Sequence, residues 1–563
     1  MNRKAYLSIL LALVFVAFAF LTGCSSGNSK TATGTTYVFY LSGQEAIDDG
    51  PNFYTVAGAV TIDSAGNVTA GEEDYNDGFA DDGGILDAPT PISAGTLTVD
   101  SSTGQGTLAL TVGDTNLGVG GVETLAIQFA NANHALINQF DGSATSSGSL
   151  DLQSSTSAPG NFAFTFSGVD TGYAPIAIGG IVTVGSGAIN GVFDVNDDGD
   201  IFTDQTLTTG TVTSTDAFGR GTITGTQLAG TIAYYVVGPE AVRLISDDND
   251  AAGVGSAFGQ GTATFTNASL VNSVFAVGGN AWGVISGMAG QFATSNTGAD
   301  PANFAGVGED NELENGVFTG LAATFAGTYT VQDSGVNGYG SMSITSGFGD
   351  ADFWGVYMTD PALNLSDPNN TSGGGGALVI DLSDTEVLPG VSGVLIPQTD
   401  TSTADFNGNY AVGWQDFNFY SEDCSLCEFD VVAQGSVTAA SSNALSFTGD
   451  VSDPFNTLGF ATAGEYTGAT LTGTPAADEV NVGRYSLLSA NENPLGATVN
   501  GESGFFDTTI YQASAGQLFW LNVVGVEEED AGVFLGPLEQ QGSLTGIPAV
   551  QKSMAKSPQA QKR

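Results

Sequence analysis

The feature that most constrains this chain is a set of strand-like segments that recurs four times in the same order. The first segment of each repeat reads YVFYLSG at 37, NFAFTFSG at 161, SVFAVGG at 273 and NYAVGW at 409. A later segment recurs in step as GQGTLAL at 104, GRGTITG at 219, GYGSMSI at 338 and GRYSLLS at 483. Self-similarity of this kind is the signature of a repeat architecture. We therefore expect four tandem copies of one structural unit.

The segments alternate apolar and polar residues and are separated by Gly, Asn, Asp and Ser, as in antiparallel strands joined by tight turns. Glycine accounts for 80 of the 563 residues, which suits many such turns. Each repeat has room for about eight strands. The sequence predicts an all-β protein of four tandem antiparallel meanders, each an eight-stranded up-and-down barrel. β-Sandwiches are the main alternative, and one outer-membrane barrel built from all the strands is another.

The repeats and the composition of the two ends predict seven segments. These are a signal peptide (1–23), a tether (24–35), β repeats 1 to 4 (36–153, 154–261, 262–383 and 404–549) and a basic disordered tail (550–563).

The amino-terminal segment carries Arg3 and Lys4, then an apolar run over 5–20, then LTGC at 21–24. A basic start followed by an apolar stretch and small residues is the pattern of a secretory signal. Because a cysteine follows the small residues, the stretch resembles the lipobox of bacterial lipoproteins. The resemblance implies cleavage before Cys24, acylation of that residue and anchoring to a membrane. Ser25, where that family's inner-membrane proteins carry Asp, favours the outer membrane or cell surface.

The body of the chain is similar to glycine-rich, tandem-repeat bacterial surface lipoproteins. That resemblance implies a location and no activity.

The charge of the chain excludes several partners. Sixty acidic residues and ten basic ones give a formal net charge of −50. Such a body does not bind nucleic acid or anionic lipid surfaces. Its self-repulsion has to be relieved by bound cations, by salt or by protonation of carboxyl groups. We expect Arg220 and Arg484, which stand at the same step of repeats 2 and 4, each to pair with a carboxylate of its own repeat.

Two cysteines remain once Cys24 is assigned to the lipid, namely Cys424 and Cys427 in CSLC. In an exported protein we expect them to form a disulfide. A redox-active pair is the alternative.

The second segment of the repeat reads VAGAVTI at 56, IGGIVTV at 178, MAGQFAT at 288 and AQGSVTA at 433, and an acidic motif follows it in every repeat. The motif reads acid-x-Asn/Ser-acid: Asp74-Asn76-Asp77, Asp194-Asn196-Asp197, Glu309-Asn311-Glu312 and Asp450-Ser452-Asp453. In repeat 2 the spacing matches the start of an EF-hand calcium loop. The candidate Ca²⁺ ligands are Asp194, Asn196, Asp198 and Asp200, with Asp204 near the end of the loop. Gln205 stands where such loops carry a bidentate Glu, so weak binding is expected. An Asx-rich hairpin turn explains the motif equally well.

The sequence contains no motif that predicts catalysis. The single histidine, His134, is predicted to fill a polar turn, which leaves no triad or multi-histidine metal site. A glycan hydrolase with paired carboxylates is the catalytic alternative. We therefore expect a non-catalytic, lipid-anchored surface module that binds a small molecule or a surface partner, or serves as a structural or adhesive element. A cavity inside a barrel would favour ligand binding, and filled barrels a structural role.

Overall fold

The chain forms antiparallel β-structure throughout the described residues, which confirms the all-β prediction. Within them the helical turns are two 3-10 helices, Asn267–Ser269 and Asp333–Gly335. In the same ranges, no helix has the length and apolar character needed to cross a membrane. The computed structural model describes residues 34–47, 50–78, 89–113, 118–170, 172, 174–225, 230–247, 251–281, 284–314, 317–347, 353–371, 373–383, 391–418, 427–438, 444–455, 464–478, 480–488, 494–499, 502–522 and 532–551.

Barrel 1 is a closed meander of eight strands. They are β1 (Thr35–Ile47), β2 (Gly50–Ile62), β3 (Val68–Asn76), β4 (Thr90–Val99), β5 (Gln105–Val112), β6 (Val122–Asn131), β7 (His134–Gln139) and β8 (Ala144–Leu152). Pairing of β1 with β8 and of β3 with β4 completes the circle. Every second residue of β5 is buried, because alternate side chains of a barrel strand point into the barrel.

Barrels 2 and 3 are also closed and eight-stranded. Barrel 2 contains β9 (Gly160–Asp170), β10 (Pro175–Gly185), β11 (Ala188–Asp197), β12 (Asp200–Val212), β13 (Arg220–Thr224), β14 (Ile232–Gly238), β15 (Ala241–Ser246) and β16 (Ala251–Gly259). Barrel 3 contains β17 (Ser273–Ala281), β18 (Val284–Ser295), β19 (Ala302–Glu314), β20 (Val317–Thr330), β21 (Tyr339–Ser346), β22 (Phe353–Met358), β23 (Ala377–Asp381) and β24 (Ser392–Pro397).

Unit 4 departs from the closed barrels and forms a half-barrel, an eleven-stranded sheet that ends at β29 and at β32. Its strands are β25 (Gly408–Asn418), β26 (Cys427–Thr438), β27 (Ala444–Asp453), β28 (Gly464–Gly473), β29 (Ala476–Ala477), β30 (Arg484–Leu487), β31 (Leu495–Val499), β32 (Glu502–Phe506), β33 (Thr508–Ser514), β34 (Gln517–Asn522) and β35 (Gly532–Gln540). A last strand, β36 (Val550–Gln551), pairs in parallel with β4 of barrel 1.

Two predicted boundaries differ from the structure. Repeat 3 was expected to end at 383, whereas its closing strand β24 is Ser392–Pro397 and pairs with β17. A long connection over 359–376 separates β22 from β23 and interrupts the regular spacing of turns, so the periodic pattern did not reach β24. The tail was expected to be disordered from 550, whereas Val550 and Gln551 pair with Thr98 and Val99.

The four units pack side by side in a ring. The first strands of each unit contact the last strands of the next: β2 packs on β15 and β16, β10 on β22 and β23, β18 on β34 and β35, and β26 on β7 and β8. The last of these contacts joins unit 4 back to barrel 1. Strands in these contacts are buried on both faces, as in β14 and β15, and β14, which reads IAYYVVG, is a continuous apolar run for that reason.

A glutamine follows the last strand of every unit, and its side chain links that unit to the next one in the ring by hydrogen bonds. Its side-chain Nε2 donates to backbone carbonyl oxygens of the next unit. The contacts are Gln153 to Phe218 and Val236 (2.7 and 2.8 Å), Gln260 to Asn337 and Met358 (3.1 and 3.0 Å), Gln398 to Gln512 (3.0 Å), and Gln541 to Thr103 and Phe129 (2.6 and 2.9 Å). Gln541 therefore closes the ring from the end of the chain to its first barrel.

The linker that follows each glutamine covers one end of the next unit. Phe265 and Leu270 belong to the core of barrel 3, and Phe406 belongs to the core of unit 4. The last linker runs back over barrel 1, where Ala549 joins the core. Each unit is thus completed by the linker that precedes it in the ring.

Gln541→Ala is expected to lower the free energy of unfolding by about 0.5–1.5 kcal/mol, because hydrogen bonds between unit 4 and barrel 1 are lost, while Gln128 Nε2 still donates to the oxygens of Thr103 and Phe129 at 2.8 and 3.2 Å. Urea unfolding midpoints measure the effect. Gln540→Ala is the matched control, since Gln540 is exposed and its loss should stay within about 0.5 kcal/mol. Equal effects of the two substitutions would refute a role for Gln541 in closing the ring.

Candidate functional site

The recurring acidic motif lies at the contacts between units. In barrel 1, Asp74 is buried and accepts hydrogen bonds from Arg220 of barrel 2, with Nε to Oδ2 and Nη2 to Oδ1 both at 2.7 Å. The hydroxyl of Tyr235 donates to Asp74 Oδ2 at 2.7 Å. Asn76 donates to the carbonyl oxygens of Ser246 and Ala251, both at 3.0 Å. The motif of one barrel is therefore bound by strands of the next.

The same motif in barrel 2 is bound by barrel 3 through tyrosines. Tyr339 donates to Asp194 Oδ1 at 2.5 Å and Tyr357 donates to Oδ2 at 2.7 Å. Asn196 donates to the carbonyl oxygen of Asp381 at 3.1 Å. Burial raises the pKa of Asp194, and the tyrosine hydrogen bonds offset only part of that shift. Burial and the nearby carboxylate raise the pKa values of both tyrosines, so both remain hydrogen-bond donors.

The motif of barrel 3 is bound by unit 4. Glu309 is buried and forms an ion pair with Arg484 of β30. Thr509 lies 3.4 Å from the same carboxylate, and Arg484 also donates through Nε to the hydroxyl of Tyr511 at 3.2 Å. The fourth contact joins unit 4 to barrel 1. Here the bound acid is Asp430 on β26, the strand next to the one that carries the motif, and Thr145 of barrel 1 donates to Asp430 Oδ2 at 2.6 Å.

The residues that bind the acids occupy one register position. Arg220 pairs across strands with Tyr235, Tyr339 with Tyr357, and Arg484 with Tyr511. The equivalent pair in barrel 1 is Gln105 with Gln128. Three units therefore present an arginine–tyrosine or tyrosine–tyrosine pair to the preceding unit, and barrel 1 presents amides.

The predicted pairing of Arg220 and Arg484 within their own repeats is confirmed, through Asp247 and Asp478, each at 3.1 Å. The sequence did not reveal the second carboxylate of each arginine, Asp74 or Glu309, which belongs to the preceding unit.

The five predicted calcium ligands do not form one ligand set. Asp198 and Gly199 have φ of 51° and 86° and connect β11 to β12, as in a two-residue type I′ hairpin. Oδ1 of Asn196 accepts from the Gly199 N–H at 3.0 Å, and Oδ1 of Asp194 accepts from the Asp204 N–H at 2.9 Å.

Asp200 pairs with Asp197 at the base of the hairpin, and Asp204 accepts a hydrogen bond from Ser334 of barrel 3. In the described ranges, no group of three or more His, Cys, Asp or Glu side chains could hold a metal ion. Calcium binding by this hairpin stays a prediction.

His134 is not a turn residue, contrary to the sequence prediction, but a buried strand residue with 1% exposure. Its Nδ1 lies 2.7 Å from Asp151 Oδ1, and its Nε2 lies 3.0 Å from Glu539 Oε2 of unit 4. Arg243 of barrel 2 binds the other oxygen of Asp151 at 2.6 Å, and its guanidinium lies 4.3 Å from the ring centre of Tyr40. This network joins barrel 1, barrel 2 and unit 4.

The network fixes the charge of its members. Burial alone lowers the pKa of His134, but the charges and hydrogen bonds of Glu539 and Asp151 outweigh burial and hold that pKa well above its usual value. Burial raises the pKa of Asp151, but Arg243 and His134 reverse the shift and bring it to about 2. The imidazolium is thus an ion-pair partner for two carboxylates.

Two further predictions fall partly or wholly outside the described ranges. Cys427 is disulfide-bonded, and its predicted partner, Cys424, lies outside them, as does Cys24. The Cys424–Cys427 pairing and the lipidation of Cys24 stay predictions.

Barrel 2 contains the cavity that the sequence could not locate. Its volume is about 340 Å³ and it lies at the end of the barrel where β9 begins and β16 ends. Most of its wall is apolar, including Phe162, Phe164, Ile189 and Leu244. All four of these side chains belong to the core of barrel 2.

The cavity exists because the linker into barrel 2 carries no large apolar side chain. Ala158 is the linker residue that packs on this core. The corresponding linkers place Phe265 and Leu270 in barrel 3 and Phe406 in unit 4. The space that those side chains fill elsewhere is left open in barrel 2.

Comparison with known proteins gives no assignment. No protein-family model matches the chain, and no curated protein matches it. Among solved structures, a single and a double mutant of transferrin binding protein B, a vaccine antigen from Haemophilus parasuis Hp5, are each 10% identical and each span 74% of this chain. The matches cover 85% and 86% of those chains with TM-scores of 0.18 and 0.21. A likeness of this size carries no conclusion about function.

Arg220→Met is expected to lower the free energy of unfolding by about 3–5 kcal/mol, because Asp74 stays buried without its cation. Differential scanning calorimetry measures the loss. The double variant Asp74→Asn, Arg220→Met should recover much of it, since the stranded charge is gone. Additive losses in the double variant would show that the two side chains are not coupled across the contact.

His134→Gln is expected to flatten the dependence of stability on pH. The folded-state pKa of His134 is raised, so its contribution is fully present below the unfolded pKa of about 6.5 and is lost as pH rises through the folded value. The difference in melting temperature between wild type and variant should therefore be largest near pH 6 and shrink at alkaline pH. A difference that grows with pH would contradict the charged network.

Proposed function

We propose that the protein is a non-catalytic binding module in which barrel 2 takes a small apolar ligand and the other three units form its scaffold. The cavity of about 340 Å³ inside barrel 2 is the observation that carries the proposal. Pockets of roughly 300–1,000 Å³ with apolar walls are the usual size and character of small-molecule sites. Eight-stranded barrels are also just wide enough to hold one small ligand.

The contrast between units supports this division of roles. Barrel 3 is filled by interlocking rings such as Phe275 with Phe325 and Phe275 with Trp354, with centroids 5.7 and 5.4 Å apart. Unit 4 packs Trp414 against Trp520 at 5.1 Å. Filled cores of this kind supply stability rather than binding space.

The acids singled out by the repeat fit a structural role better than a catalytic one. Asp74, Asp194 and Glu309 are buried and covered by the next unit. A glycosidase needs two carboxyl groups flanking a bound sugar, and these three carboxylates face protein instead. We infer that the motif assembles the ring.

The proposed location is the outer membrane or cell surface, with attachment through Cys24. The LTGC stretch at 21–24 supports this location, and several acyl chains together hold a protein firmly to a bilayer.

Ligand binding is tested with N-phenyl-1-naphthylamine, a neutral apolar fluorophore. One molecule per chain is expected to bind, with a rise in fluorescence. Ala158→Phe, which imitates the large linker side chains of units 3 and 4, should weaken binding by about tenfold or more. The same change should keep or raise the melting temperature, because it fills a cavity.

Ala217→Phe is the matched control for that experiment. Ala217 is exposed in the 213–219 loop of the same barrel, so this variant should bind the fluorophore as the wild type does. Unchanged binding by Ala158→Phe, or no saturable binding by the wild type, would overturn the proposed ligand site.

Attachment is tested separately by cell fractionation. Cys24→Ala should move the protein from the membrane fraction to the soluble fraction, whereas Ser25→Ala should leave it in the membrane fraction. Tight membrane association of Cys24→Ala would refute lipid anchoring at that residue.

A further inference from the structure

The described residues that line the barrel 2 cavity include no charged side chain. Among its lining residues in the described ranges there is no Asp, Glu, Lys, Arg or His. Tyr234 lines the cavity, and its hydroxyl already donates to the carbonyl oxygen of Thr213 at 2.8 Å. A ligand group buried among these residues has no charged partner, and a buried charge without a partner is strongly disfavoured.

Three serines of the lining stand at the mouth. Ser157, Ser186 and Ser214 are exposed, whereas Phe162, Phe164 and Leu244 line the interior and are buried. The site is therefore divided into an apolar interior and a rim of hydroxyl groups in contact with water. A molecule that matches this division has an apolar chain and a polar end that stays at the rim.

The charge around the mouth selects against an anionic end. Asp216 lies close enough to Tyr234 to help raise its pKa, after the effect of burial. The whole chain carries a formal net charge of −50, and a field of that sign repels anions from a cleft. None of the described residues that line the cavity is a cation that could pair with a carboxylate or a phosphate.

Building on the proposed ligand site, we propose that barrel 2 binds a single-chain amphiphile with an uncharged head group. The alkyl chain enters the cavity, and the head group stays among the serine hydroxyls at the mouth. Hydroxyl-bearing heads suit this rim because hydroxyl groups donate and accept hydrogen bonds with each other and with water.

The test is displacement of N-phenyl-1-naphthylamine at pH 8 by 1-alkanols and by alkanoates of matched chain length. Each added methylene of an alkanol should tighten binding about fourfold until the cavity is full. Alkanoates should bind about tenfold or more weakly than alkanols of the same length. Equal binding of the two series, or no dependence on chain length, would overturn the proposal.

Two variants locate the head group. Ser157 is exposed at the mouth, so Ser157→Lys should tighten alkanoate binding by about tenfold and leave alkanol binding unchanged, whereas the neutral control Ser157→Gln should change neither. A lysine that has no effect on alkanoates would place the head group elsewhere and refute the orientation.

The outcomes of the two proposals are separable. If the fluorophore binds and Ala158→Phe abolishes its binding, the ligand site stands. If no alkanol then displaces the fluorophore, the amphiphile proposal fails alone. If the fluorophore does not bind, the ligand site itself fails.

Discussion

Each of three contacts in the ring is built around a carboxylate that has been removed from water. Such a group is costly to bury unless donors or a cation replace its hydration. Arg220 and Arg484 do so for Asp74 and Glu309, and two tyrosine hydroxyls do so for Asp194. The stretch 31–551 contains no lysine and three arginines, Arg220, Arg243 and Arg484, and each of the three binds a carboxylate of another unit. The few cations of this acidic chain thus lie at the contacts between units, where a buried carboxylate without a cation would destabilise the contact.

Burial also changes how the remaining acids carry charge. The pKa of Glu72 rises to about 8 through burial and its contact with Asp216 of the next barrel, and burial raises the pKa of Asp381 to about 6. Carboxyl groups of this kind are more protonated in the folded than in the unfolded chain at near-neutral pH, so folding is favoured as pH falls toward their unfolded pKa values. Protonation is therefore one of the ways in which the acidic body reduces its own repulsion.

Much of the fold was predictable from the sequence, because strand alternation and a fourfold repeat depend on local pattern. The partners of the acidic motif were not predictable. Alternation shows which side chains point outward from a barrel, but it does not show which residues of another unit pack against them. A signal was present in IAYYVVG at 232, whose apolar residues occupy both faces of β14; such a run indicates a strand covered on its outer side. The environment of His134 was not predictable either, because the two carboxylates that pair with it come from different units. The cavity of barrel 2 depends on Ala158. The sequence does not show that this small linker residue stands where other units have a large apolar side chain, because that comparison requires the linkers to be aligned by structure.

The return of the chain to barrel 1 has a topological consequence. Gly34 lies against Ile62 at the start of β1, and Gly66, in the turn that follows β2, lies against Val550, so the chain enters and leaves the ring at one end of one barrel. The last linker and β1 are thus close in space but not covalently joined. The other three linkers occupy the corresponding positions between neighbouring units, so the ring could be opened at any of them. Which unit comes first along the chain therefore depends on which linker is open, and circularly permuted chains would form the same ring.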